Sequence, residues 1–104
     1  MHPLLKHPLV DCDVEEAALW YAQRDPEAAR RFVDESRNAM KAAAQDPLLY
    51  SIRFGDVRRA RMHGFPHSVF FRLRDDAVVI LAVLHGARQT QRVIVGRIGG
   101  WPTA

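Results

Sequence analysis

The chain has 104 residues, 48% of them apolar and 26% charged, which is material for one packed domain and excludes a second domain, a coiled coil or a disordered tail. No apolar run approaches the roughly 18 residues of a membrane span, and Met1 to Val10 is too poor in apolar residues for a secretory signal, so a cytoplasmic protein with no membrane contact is expected. The net charge of +3 divides unevenly: residues 1–52 carry six basic groups against nine acidic ones, whereas residues 53–104 carry nine arginines and no lysine against Asp56, Asp75 and Asp76.

Leu4, Leu5, Leu9 and Val10, interrupted by Pro3 and Pro8, predict an N-terminal edge strand. Asp13 followed by Glu16 has the spacing of a helix cap and its reciprocal carboxylate, so a helix is expected from Asp13. Its apolar stripe is Val14, Ala17, Ala18 and Tyr21, and it ends near Arg24. Asp25-Pro26-Glu27 starts a second helix, since proline costs nothing in the first turn and aspartate before it caps. The second stripe is Ala29, Phe32, Val33, Ser36, Met40 and Ala43, and Asp46-Pro47 stops it. So short a joint makes the pair an antiparallel helical hairpin.

Beyond Pro47 the period becomes two. A strand through Arg58, Arg59, Ala60, Arg61, Met62 and His63 puts guanidiniums on both faces at its start and mainly on one face later. Val69, Phe71 and Leu73 alternate with Ser68, Phe70, Arg72 and Arg74 as in a half-buried strand, and Asp75-Asp76 makes the turn. Ala77 to Leu84 is apolar on both faces and mostly β-branched, which suits the middle of a sheet. Residues 89–104 carry no decisive pattern. The expected fold is α+β: an N-terminal strand and an antiparallel helical hairpin packed on one face of a small antiparallel sheet. The other face is expected to be open, concave and positive.

The segment from Phe65 to Arg88, FPHSVFFRLRDDAVVILAVLHGAR, closely resembles the C-terminal half of RelE/ParE family toxins of type II toxin–antitoxin systems. The order of arginine-rich strand, aromatic-valine-aromatic strand with a following arginine, charged turn, β-branched strand and His-Gly-x-Arg-type loop is that family's, and the hairpin fits its layout. The resemblance implies a single toxin domain over residues 1–104, neutralised by a cognate antitoxin protein and arresting growth by poisoning DNA gyrase or by cutting mRNA on the ribosome. It implies no cofactor. On the mRNA interferase branch, Arg88 corresponds to a phosphate-stabilising arginine and Arg58, Arg59 and Arg61 lie on a strand that carries basic residues. That branch uses lysines on the strand and a tyrosine or histidine near the C-terminus, which this chain lacks, so His67 and His85 would have to supply proton transfer alongside Arg61 and Arg88. Arg58, Arg59 and Arg72 are the expected contacts to nucleic acid or target.

Each of these residues also has a plainer role. Arg58, Arg59 and Arg61 fit edge-strand charges that deter aggregation, Arg72 and Arg74 can pair with Asp75 and Asp76, and His85 fits a hydrogen-bonded strand-end histidine. Gly64 and Pro66 preclude the helix that would let His63 and His67 share a metal, and one cysteine, Cys12, allows neither a disulfide nor a thiolate cluster. No metal is expected. Phe65, Phe70 and Phe71 fit core packing before base stacking, while Trp20 and Trp101 are expected at the surface, where an antitoxin could bind them. The rival from another class is a non-toxic adaptor that uses the same basic sheet to bind nucleic acid or protein.

Overall fold

The computed structural model describes residues 1–86 and 89–99. Strand β1 (Leu4–Lys6) leads into helix α1 (Val10–Ala22), and α2 (Pro26–Gln45) returns antiparallel to it. A single 3-10 turn at Pro47–Leu49 precedes strands β2 (Ile52–Phe54), β3 (Val57–Arg61), β4 (His67–Arg74) and β5 (Ala77–His85), and helix α3 (Thr90–Ile98) comes last. The strands form one sheet in the order β1-β5-β4-β3-β2, antiparallel except for the parallel pairing of β1 with β5.

Helix α2 starts as its sequence predicts: the Asp25 side chain accepts the Glu27 N–H at 3.0 Å, with Pro26 in the first turn. Helix α1 does not. It begins at Val10, three residues before Asp13, because the turn at His7-Pro8 already supplies its first acceptors: His7 Nδ1 accepts the Leu9 N–H and the His7 carbonyl accepts the Val10 N–H, both at 3.0 Å. Asp13 is therefore no cap, and its carboxylate is used elsewhere.

Phe32, Ala39, Met40 and Ala43 of α2, with Val10 of α1, pack on Ala60, Met62, Val69, Phe71, Val78, Ile80 and Val83. Each large side chain buried here contributes about 1.5–3 kcal/mol. The small side chains Ala43 and Ala44 are fully buried, which lets α2 lie close to the sheet. The second face is not open as the sequence suggested. Helix α3 lies on it, and Ile94 is buried among Val57, Phe70, Val79, Leu81 and Ala82.

A bulge in β5 decides which side chains meet at the far end of the β4–β5 hairpin. From Arg74↔Ala77 to Phe71↔Ile80 the register is regular, but Phe70 pairs with Ala82, so Leu81 is an extra residue in β5. The shift places His85, not Leu84, opposite His67.

Candidate functional site

His67 and His85 stand opposite each other at the end of β4 and β5, their rings edge to face with centroids 5.3 Å apart. The same His67 ring lies edge-on to Phe32 at 4.8 Å, and Phe32, Tyr21 and Phe65 are in mutual ring contact at 5.1–5.6 Å. Parity along β4 puts His67 with Val69 and Phe71, on the helix side of the sheet. Burial first, and then the charge of His85, lower the His67 pKa to about 4. Its Nδ1 is buried and has no hydrogen-bond partner among the described residues. At neutral pH this is an uncharged ring in an aromatic box and a weak base. A groove of about 610 Å³ opens beside the pair, lined by Glu16, Trp20, Tyr21 and Pro66 among others. Trp20 is 51% exposed and carries the Arg24 guanidinium 3.6 Å above its ring.

The arginines expected to converge are divided by the pleat of β3. Arg58 pairs with Phe71 and so points to the helix side, where its guanidinium donates to the Tyr50 carbonyl at 2.6 Å. Arg59 and Arg61 pair with Phe70 and Ser68 and lie on the opposite face, that of α3. The alternation read from the sequence holds: both faces at the start, one face later. Arg72 shares the α3 face but is neutralised by Asp56, both contacts being 3.1 Å, and not by the neighbouring Asp75 or Asp76.

Arg59 and Arg61 have no such carboxylate partner among the described residues, and Arg53, which the sequence reading passed over, joins them. The β2–β3 pairing is irregular between Ile52 and Phe54, which leaves Arg53 without a cross-strand partner. Burial, then the charges of Arg53 and Arg61, lower the Arg59 pKa. Among the described residues none of the three guanidiniums has a carboxylate within ion-pair distance. The signal for Arg53 was its place two residues before Gly55, whose φ of 54° makes the β2–β3 turn.

The edge of β5 beyond β1 is closed by side chains. The Val83 N–H donates to Asp13 Oδ2 at 3.0 Å, and the Leu81 carbonyl accepts from Arg97 at 3.0 Å. Asp13 and Arg97 in turn form a two-pronged pair at 2.6 and 2.7 Å, with side chains only 9% and 11% exposed. The hydrogen bonds to Asp13 raise the Arg97 pKa against the opposing effect of burial. One ion pair thus ties α1, β5 and α3 together at the bulge.

Arg88 and Trp101 lie outside the described residues. Of the other expected site residues, the structure brings His67 together with His85 and Arg59 together with Arg61, and it separates the two pairs by the thickness of the sheet. Among the described residues no three His, Cys, Asp or Glu side chains are grouped to hold a metal ion, and no helix is long and apolar enough to cross a membrane.

Comparison with known proteins places the chain by family and by fold. The family described as ParE toxin of type II toxin–antitoxin system, parDE, matches residues 4–90. Among solved structures the chain is similar to one described as the chromosomal ParDE TA system from P. aeruginosa, with a TM-score of 0.73 and 20% identity, covering 82% of this chain and 96% of that one. No curated protein matches the sequence.

Proposed function

The chain belongs to the ParE toxin family of type II toxin–antitoxin systems, and from that premise we propose that it arrests growth by inhibiting DNA gyrase and is held inactive by a cognate antitoxin. One observation carries the choice of target. Cleaving RNA requires cations around the developing phosphorane with a proton donor and an acceptor beside them. Here Arg59 and Arg61 face α3, whereas His67 and His85 face α1 and α2. His67, lowered to about 4, is also poorly matched to proton transfer at neutral pH. Inhibition of gyrase by binding asks for neither group. The half-exposed Trp20 beside its groove supports this helix side as the antitoxin's contact.

The test is purified toxin with gyrase and relaxed plasmid, alongside translating ribosomes with a defined mRNA. Supercoiling is expected to stop at saturating toxin while the mRNA stays whole, and the protein encoded by the neighbouring reading frame is expected to restore supercoiling. Undisturbed supercoiling with new mRNA ends at the ribosome would reverse the assignment in favour of an mRNA interferase. A chain that does neither, yet binds nucleic acid or protein, would be the adaptor.

A further inference from the structure

Five described arginines, Arg53, Arg59, Arg61, Arg72 and Arg74, stand on the α3 side of the sheet or at its margin in β2, β3 and β4; among the described residues only Arg72 has a carboxylate partner, and Arg74 lies apart at the β4–β5 turn. Arg59 and Arg61 are two residues apart on β3, so their Cα atoms are separated by about 6.8 Å. Arg53 adds its charge from β2, across the irregular β2–β3 pairing. Three like charges held this close repel one another, and burial of Arg59 makes the repulsion harder to screen. An anion laid over them removes that cost.

We propose that Arg53, Arg59 and Arg61 form a binding site for the phosphodiester backbone of a nucleic acid. Guanidinium is the cation that matches phosphate with two parallel hydrogen bonds, and this half of the chain uses arginine to the exclusion of lysine. The cluster spans two strands, with Arg59 and Arg61 on the face of the sheet and Arg53 at its margin. A peptide adding itself as a strand at the outer edge of β2 would run beside the cluster and not over it, whereas a phosphate ribbon needs no backbone pairing and can lie across it. The site rests on the gyrase reading only for its source of phosphate, the DNA that gyrase holds.

The experiment is fluorescence anisotropy of the purified toxin with a labelled duplex DNA and, separately, a labelled RNA hairpin, without gyrase, between about 50 and 200 mM salt. Binding is expected to weaken with salt at a logarithmic slope near −0.9 per phosphate contacted, thus about −2 to −3 in all. Arg53→Gln, Arg59→Gln and Arg61→Gln are each expected to weaken binding several-fold and to flatten the slope by about 1. Arg74→Gln, an exposed arginine outside the cluster, is expected to leave both unchanged. Circular dichroism melts identify any variant that fails to fold, and Arg59→Lys, which keeps the charge, is expected to keep the slope while losing affinity.

Absence of binding, or glutamine variants that bind as the parent does, would overturn the site. So would a polyglutamate peptide that displaces duplex at equal charge, since the partner would then be an acidic protein. Preference for the hairpin supports the phosphate site and directs it to RNA. Supercoiling assays on the same proteins separate the two readings: DNA binding without gyrase inhibition keeps the site and removes the target, and inhibition without DNA binding does the reverse.

Discussion

Removing either member of the Asp13–Arg97 pair is expected to destabilise the fold out of proportion to one surface ion pair. Asp13→Ala strands the Arg97 guanidinium, whose side chain is 11% exposed, and also orphans the Val83 N–H. Breaking a buried pair by deleting one partner costs about 3–5 kcal/mol, and about 4 kcal/mol is a large share of the about 5–15 kcal/mol that holds a domain together. At about 4–8 °C per kcal/mol for a domain near this size, the melting temperature should fall by roughly 15–30 °C. Arg97→Met should cost a similar amount, leaving the Asp13 carboxylate buried without its countercharge and the Leu81 carbonyl without the Arg97 donor. The double variant Asp13→Ala/Arg97→Met should be more stable than the sum of the singles by about 2–3 kcal/mol, because no charge is then left buried. Urea unfolding followed by circular dichroism measures all four proteins. Single costs below about 1 kcal/mol, the value of an exposed pair, or strict additivity in the double variant, would refute the argument.

Packing and charge set three further outcomes. Below pH 6.5 the unfolded chain takes up a proton that folded His67 refuses until about pH 4, so stability should fall as pH drops through that window and stay level above it. The full shift corresponds to about 3 kcal/mol, which solvent on the open side of the ring reduces to about 1–2 kcal/mol, and urea midpoints across the window should show a shallower slope in His67→Phe. Phe32→Ala removes the ring that joins Tyr21, Phe65 and His67 and should cost about 3–5 kcal/mol in equilibrium unfolding. Ile94→Ala should cost about 2–5 kcal/mol, with amide exchange in α3 rising most, since Ile94 is the one fully buried residue of that helix.

The elements with strong local signals were legible in the sequence. Asp25-Pro26 and its stripe specify α2, and the alternation of β4 and the apolar run of β5 specify a central hairpin with the two helices on one face. What the sequence hid was decided over long distances. Asp13 and Glu16 make a credible cap, but a partner 84 residues away claims the carboxylate. Helix α3 reads as neither element because Val93, Ile94 and Val95 favour a strand while Gly96 weakens any regular structure, so docking of Ile94 on the sheet settles it. The separation of Arg58 from Arg59 and Arg61 was visible as parity, but the Arg72–Asp56 pair was not, and the three residues of β2 were too few to show a period. Nor did anything announce the extra Leu81, without which His67 would oppose Leu84.

The pairing of β1 with β5 makes the sheet a late event in the life of each chain. Leu4, Leu5 and Lys6 find their partners only at Val78, Val79 and Ile80, and Asp13 finds its own only at Arg97. A nascent polypeptide leaving the ribosome can form the hairpin of α1 and α2 early, from local contacts, but the N-terminal strand must wait until Val78 to Ile80 have been made. A copy that stops before β5 leaves β1 without its neighbour and the sheet without its central hairpin.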